Sequence, residues 1–205
     1  MRDPKCIVFV VDDDPLVRDS VEDLLGSAGF PAQTFGSATE FIRAKRPDAP
    51  ACLILDIELP DLSGLDLQTD LAKSGAEVPI IFLTGHGDIR KSVRAMKAGA
   101  AEFLMKPFRA QELLDAVRQA LVSDSELRKQ RWHILELQER LGTLTPRERQ
   151  VLTLVARGLL NKQIAGELGT TEVTIKAHRG KVMRKMSAAS LADLVRMAEK
   201  LQIPS

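Results

Sequence analysis

The chain has no tyrosine, a single tryptophan and an aromatic share of only 4%. It has two cysteines, Cys6 and Cys52, without metal-ligand spacing. That argues against a disulfide scaffold or a cysteine-held metal, and both read as buried, reduced thiols on or beside strands. No apolar stretch approaches the roughly 20 residues of a membrane-spanning helix. Met1 leads into a charged segment without a signal-peptide core. The expectation is a soluble, cytoplasmic protein with no membrane partner. No internal repeat or low-complexity segment appears.

What is present is an ordinary globular composition, 44% apolar over 205 residues, enough for one large or two small domains. The net charge of +1 hides an asymmetry: residues 1–122 carry −5, residues 123–142 carry 0 and residues 143–205 carry +6. An acidic front and a basic back fit a metal-binding domain joined to a nucleic-acid-binding one.

Residues 6–121 alternate between two periodicities. Strand patterns lie near 6–11, 31–35, 51–56, 79–84 and 101–105, with helical patterns near 15–28, 37–46, 64–74, 88–98 and 109–121. The first, third and fourth strands are nearly continuous apolar runs, as expected when helices cover both sheet faces. Right-handed crossovers then predict an α/β doubly wound, five-stranded parallel sheet.

Four of these runs end in polar residues. Ile7–Val11 leads into Asp12, Asp13 and Asp14; Cys52–Leu55 into Asp56; Ile80–Leu83 into Thr84; Phe103–Met105 into Lys106. In a parallel sheet all of them emerge at the carboxyl edge, where open α/β folds place their sites. Adjacent Asp12 and Asp13 repel each other unless a cation lies between them, which points to Mg²⁺. Asp56 is the candidate nucleophile for an aspartyl-phosphate. Lys106 would pair with the added charge and Thr84 would hydrogen-bond a phosphoryl oxygen. Asp14 is expected to cap the helix that begins at Pro15.

Residues 123–142 contain no proline and are highly charged, with Leu127, Ile134 and Leu141 spaced by seven. Either a heptad seam or a solvated helical linker with one packed stripe fits. Trp132 is expected at a domain or subunit contact. After residue 143 no strand pattern remains. Thr145, Pro146 and Glu148 form a helix start with a capping box. Val151, Leu152, Leu154 and Val155 supply that helix's apolar face, and Gly158 ends it. Asn161 is expected to cap a short second helix, and Thr170 or Thr171 a third over about 172–186. A fourth follows over about 190–201. Two helices joined by a short glycine-containing turn, the second of them basic, describe a helix-turn-helix.

These stretches resemble two known families. Val-Val-Asp-Asp-Asp at 10–14, Leu-Asp-Ile-Glu-Leu-Pro-Asp-Leu-Ser-Gly at 55–64, Leu-Thr-Gly-His-Gly-Asp at 83–88, Met-Lys-Ala-Gly-Ala at 96–100 and Lys-Pro-Phe at 106–108 look like a two-component receiver domain. Leu-Thr-Pro-Arg-Glu at 144–148, Gly-Leu-Leu-Asn-Lys-Gln-Ile-Ala at 158–165 and Thr-Ile-Lys-Ala-His-Arg at 174–179 resemble the LuxR-type helix-turn-helix of NarL/FixJ-type response regulators. The implied organisation is a receiver over 1–122, a helical linker over 123–142 and a DNA-binding domain over 143–205.

The resemblance implies that Asp56 accepts phosphate from a sensor histidine kinase. It implies that Asp13, Asp56 and the Glu58 main-chain carbonyl hold Mg²⁺ directly, with Asp12 acting through water. Thr84, Phe103 and Lys106 would sense the phosphoryl group, and the side chains of Glu58 and His86 would tune its lifetime. The receiver face of the fourth helix, fifth strand and fifth helix would then dimerise or release the DNA-binding domain.

On the third helix of the tail, Val173 with Ile175, and Val182 with Met186, are expected to face the core. Lys176 and Arg179 are expected at the major groove of promoter DNA, and Lys162, Lys181, Arg184 and Lys185 at phosphates. His178 fits either a phosphate contact or a structural hydrogen-bonder, with the second preferred. Gly180 lies where some relatives carry a base-reading lysine. The fourth helix resembles the family's dimerisation helix, implying a homodimer on activation, and RNA polymerase is a further partner. An enzyme is disfavoured, because aspartate phosphatases usually carry a second Asp and a Thr where this chain has Glu58 and Pro60.

Overall fold

The computed structural model describes residues 6–76, 78–85 and 89–204. The chain divides into two compact units, Met1–Arg128 and Lys129–Ser205.

In the first unit the alternating pattern becomes β1 (Ile7–Val11), α1 (Pro15–Ser27), β2 (Ala32–Phe35), α2 (Ala38–Arg43), β3 (Ala51–Asp56), α3 (Gly64–Lys73), β4 (Ile80–Thr84), α4 (Ile89–Lys97), β5 (Glu102–Met105) and the start of α5 (Ala110–Gly142). All strand pairs are parallel, in the order β2-β1-β3-β4-β5. The expected doubly wound sheet is thus observed. The three apolar runs are its three central strands, and every residue of β1, β3 and β4 is buried.

Alternation along the strands divides the core in two. Phe9, Leu53, Leu55 and Phe82 point to one face, where they meet Phe35 and Phe41 and the α3 residues Leu67 and Leu71. Phe41 packs edge-on to both Phe9 and Phe35, at 5.5 and 5.6 Å between ring centres. Val8, Val10, Ile54, Ile81 and Leu83 point to the other face, against Val21 and Leu25 of α1 and Leu113, Val117 and Leu121 of α5. Burial pushes the Cys52 thiol far up and out of reactive range.

The loop after β3 is held from two sides. Asp61 accepts hydrogen bonds from the Thr39 N–H and hydroxyl at 2.8 and 2.6 Å and from the Ala38 N–H at 3.3 Å. It thereby caps α2 from a distance, and the Thr39 hydroxyl leads in holding its carboxyl below the usual range. Gly64, where α3 begins, lies so close to the strand that a Cβ there would stand 2.3 Å from the Asp56 carbonyl oxygen. Gly64→Ala is therefore expected to cost about 2 kcal/mol. Urea unfolding monitored by circular dichroism checks it, and an unchanged midpoint would refute the crowding.

The packed part of α5 is longer than the apolar pattern over 109–121 indicates. Asp124 is 1% exposed. It accepts from the Ala51 N–H and from Arg128 Nε, both at 2.8 Å, and Arg128 also meets Asp48 at 2.5 Å. Asp124 and Arg128 thus extend the packed side of α5 beyond residue 121.

The second unit contains the remainder of α5, α6 (Pro146–Ala156), α7 (Asn161–Glu167), α8 (Glu172–Met186) and α9 (Leu191–Lys200). Its core gathers Leu137, Leu144, Val151, Leu152, Val155, Ile164, Ile175, Val182, Met186 and Leu194. The capping box of Thr145 and Glu148 is present, and Thr171 rather than Thr170 caps α8. Gly158 and Gly169 take φ of +82° and +61°, the left-handed backbone that ends α6 and makes the turn between α7 and α8.

Several sequence expectations are corrected here. Leu160, not Asn161, is the N-cap position of α7, with the Gln163 side chain accepting from the Leu160 N–H. Asn161 is the first helical residue, and its side chain is used elsewhere. Val173 does not face the core: it is 79% exposed, because it lies on the outer side of the first turn of α8, while Ile175 is fully buried. Within this unit the stripe of α5 that packs is Leu137 with Leu141, whereas Ile134 is 37% exposed. Trp132 is 61% exposed.

Candidate functional site

The carboxyl edge of the sheet gathers the four strand-end groups. β1 and β3 are neighbours in the sheet while β2 lies outside β1, so the strand order reverses between them and opens a crevice at their ends. Asp12 and Asp13 follow β1 and Asp56 ends β3. One ligand oxygen from each of the three lies within 4.8 Å of the others.

Lys106, after β5, closes the cluster. Its Nζ donates to Asp12 Oδ2 at 2.6 Å and to Asp56 Oδ2 at 2.5 Å. The Lys106 N–H bonds the Thr84 carbonyl at 2.7 Å, and the Lys106–Pro107 peptide is cis. Thr84 is 1% exposed. Glu58 lies in the loop just after Asp56, and its N–H donates to Asp56 Oδ1 at 2.8 Å.

Burial is the largest influence on Asp12 and raises its carboxyl, against the pull of Lys106. Burial works against the Lys106 charge too, but its bonds to Asp12 and Asp56 prevail and hold the ammonium up. The arrangement is one of strong donors and acceptors held out of water, with a single ammonium between two carboxylates.

Sequence reasoning did not find the groups that hold this cluster in place. Arg18 NH1, from the first turn of α1, donates to the Asp12 carbonyl at 2.6 Å. Asp14 caps α1 as expected, accepting from the Leu16 N–H at 2.9 Å, while its own N–H binds Asp12 Oδ1 at 3.0 Å. Asp61 and Gly64 fix the other loop. The i, i+6 spacing of Asp12 and Arg18 was visible in the sequence, but nothing in it says that an arginine bonds a main-chain oxygen. Phe103 is half-buried and packs against the core on the α3 face of the sheet. His86 lies outside the described residues.

The second candidate site is the outer face of α8. Ile175, Val182 and Met186 point inward, so Val173, Lys176, Gly180 and Arg184 share the opposite side. Lys162, Lys176, Lys181 and Arg184 are exposed. Gly180 stands in this stripe with no atom within 4 Å of where a Cβ would be.

Two of the expected DNA contacts also form bonds within the fold. Arg179 is half-buried, its NH1 donating to Asn161 Oδ1 at 2.9 Å and so tying α8 to the start of α7. Lys185 donates to Glu148 Oε2 at 2.7 Å and to the Thr143 carbonyl at 2.9 Å. Both lie toward the core side of the helix, which a count of basic residues does not reveal. The Nδ1 of His178 is buried and has no hydrogen-bond partner.

The Lys185 bond, with the Thr145 N–H, holds the Glu148 carboxyl at about 2, down from 4.5. A lowered carboxyl stabilises the fold above its ordinary value, and that contribution is lost as the pH falls toward 2. Lys185→Met is therefore expected to lower the thermal midpoint at pH 7, with the gap from wild type closing between pH 4.5 and pH 2. A gap that stays constant over that range would refute the coupling.

Comparison with known proteins gives this geometry its context. Residues 8–118 match the family described as "Response regulator receiver domain", and residues 142–198 match "Bacterial regulatory proteins, luxR family". Nodulation protein W of Bradyrhizobium diazoefficiens is 54% identical over 97% of this chain and 88% of its own length. Response regulator protein TodT of Pseudomonas putida is 45% identical over 98% of this chain and 89% of its own. Among solved structures, response regulator StyR matches with a TM-score of 0.86 and 51% identity, covering 96% of this chain and all of that one. Full-length FixJ from B. japonicum matches with a TM-score of 0.58 and 37% identity over 97% of this chain and 98% of that one.

Fold and site together define a receiver coupled to a helical DNA-binding domain, a DNA-binding transcription regulator of two-component signalling and not an enzyme. The chain belongs to the NarL/FixJ-type response regulators. Among the described residues, no helix is long and apolar enough to cross a membrane.

Proposed function

We propose that Asp56 is the phosphate acceptor and that its phosphorylation by a sensor histidine kinase controls promoter binding by residues 143–205. The observation that carries this reading is Lys106 Nζ placed between Asp12 and Asp56. An Asp56 oxygen attacks the phosphorus of the donor phosphohistidine, forming an acyl-phosphate bond as the bond to the imidazole breaks. Lys106, already at Asp56 Oδ2, is within reach of the new phosphoryl oxygens, and the Thr84 hydroxyl at the end of β4 supplies a further donor. The oxygen donor set of Asp12, Asp13 and Asp56 fits Mg²⁺, with the Glu58 main-chain carbonyl as a further ligand. Bound there, the ion would neutralise charge on the transferring group. Thr84, Phe103 and Lys106 then favour one of two receiver states, and the linker over 123–142 joins that change to the tail.

On DNA, the exposed stripe of α8 is the reading element. Lys176 reaches base edges in the major groove, and Val173 beside it can contact a thymine methyl group. Lys162, Lys181 and Arg184 contact phosphates. Arg179 contributes by holding α8 against Asn161. Two copies bind adjacent half-sites, and RNA polymerase is recruited or blocked there. A DNA-binding regulator of this kind works in the cytoplasm.

Sequencing the DNA retained by phosphorylated and unphosphorylated protein tests the reading. Phosphorylation is expected to enrich paired half-sites. Lys176→Ala is expected to relax preference at one position by about 1–3 kcal/mol, whereas Lys162→Ala weakens all sequences alike and lowers the salt slope by about 1. Identical DNA pools from both forms would refute phosphate control.

A further inference from the structure

Helix α5 carries a face that its own unit leaves bare. In the second unit Leu137 is fully buried and Leu141 packs in the same core. At about 100° per residue, Trp132 and Leu135 fall on the opposite side of the helix. They are 61% and 50% exposed. Lys129, Glu136 and Glu139 line the same groove. Its charges are ordered along the helix, basic at the amino end and acidic at the carboxyl end.

We propose that this face docks against the same face of a second copy of the chain, running in the opposite direction. Positions 132, 135 and 139 keep the three-and-four spacing of a helix-pairing seam. A two-fold axis between residues 133 and 134 sets Trp132 of each copy against Leu135 of the other. The same operation brings Lys129 of each copy opposite position 138 of the other, beside Glu139 on the same groove, while Glu136 is already held by Arg140 of its own helix. Pairing in the same direction would oppose Glu139 to Glu139 and Lys129 to Lys129, so the order of charge selects the reversed arrangement. Two such tryptophan–leucine contacts fall well short of the roughly 1,000 Å² of a stable interface. The contact is therefore weak between free chains and takes effect where two copies are already neighbours. It rests on the reading that two copies act together on DNA, and it names residues of α5 for that pairing in addition to the receiver's fourth helix and fifth strand.

Trp132 is the only tryptophan, so its fluorescence reports on this face alone. The full-length chain is followed by sedimentation and tryptophan emission from micromolar to millimolar concentration. Dimer formation is expected to coincide with a blue shift and with loss of acrylamide quenching. Trp132→Ala is expected to weaken self-association about tenfold or more. Lys129→Glu is expected to weaken it as well, and Lys129→Glu combined with Glu139→Lys to restore it. All these side chains are exposed, and circular dichroism confirms that the variants fold. A chain that stays monomeric throughout, a dimer whose emission does not shift, or charge variants that associate like wild type would each overturn the surface. The stoichiometry of the DNA complex, measured separately by mobility shift, decides whether two copies bind DNA at all.

Discussion

Asp56→Asn is expected to abolish phosphorylation while leaving the fold intact. The carboxylate oxygen that would attack phosphorus is replaced by an amide of the same shape, which is a far weaker nucleophile. Asp56 Oδ2 accepts from Lys106 and Oδ1 from the Glu58 N–H. An asparagine keeps one carbonyl oxygen for these donors, and Lys106 retains its bond to Asp12. The thermal midpoint should therefore move little. The measurement is incorporation of one phosphoryl group from a small phosphodonor with Mg²⁺, read by intact mass, together with the ratio of DNA affinities with and without donor. Wild type should gain affinity on treatment, and the variant should gain neither mass nor affinity. Phosphorylation of the variant at an unchanged level would move the acceptor elsewhere.

Lys106→Met is expected to have the largest effect on stability. Asp12 is 1% exposed and its ammonium partner is the cation bonded to it. Removing one member of such a pair leaves a buried carboxylate with no cation and only the Asp14 N–H to offset it, which costs about 3 kcal/mol. In wild type the ammonium offsets that cost. In the variant a divalent cation bound by the same carboxylates should do so instead. Urea denaturation without divalent ions should show the full loss, and millimolar Mg²⁺ should recover part of it. Mg²⁺ should stabilise the variant more than wild type. A midpoint unchanged from wild type would mean that Lys106 is not needed to hold the acidic cluster.

The two sites were legible to different degrees, for a physical reason. In a parallel sheet every strand points the same way, so polar residues at the ends of successive apolar runs must emerge along one edge. Asp12, Asp13, Asp56, Thr84 and Lys106 are therefore grouped by the sequence alone. On a helix, periodicity assigns faces only as well as the core-facing residues are identified. Val173 reads as core because it is apolar, yet it is exposed on the outer side of the first turn of α8. Arg179 and Lys185 read as DNA contacts because they are basic, and in the free chain they also bond Asn161 and Glu148, which their letters do not reveal. A charge can serve solvent, DNA or a buried partner with the same letter.

The linker shows the same contrast. Its heptad of Leu127, Ile134 and Leu141 suggested a seam, but in the second unit Leu137 supplies the deepest contact of α5. Asp124 and Arg128 are charged and still belong to the first unit's packing, because Asp124 completes the hydrogen bonding of the Ala51 N–H at the start of β3.

By itself the sequence determined the order of elements, the parallel sheet, the strand-end cluster, the capping box of Thr145 and Glu148, and the family. All of these follow from local periodicity, cap chemistry and motif spacing, which need no knowledge of distant contacts. Tertiary structure alone decided that Lys106 bridges Asp12 and Asp56, that Gly64 presses on the Asp56 carbonyl and that Asp61 caps α2. It also decided that Arg179 bonds Asn161, that Lys185 bonds Glu148 and that Trp132 and Leu135 are left in the open. Those depend on which residues far apart in the chain meet, and side-chain partnership is settled only when the elements pack.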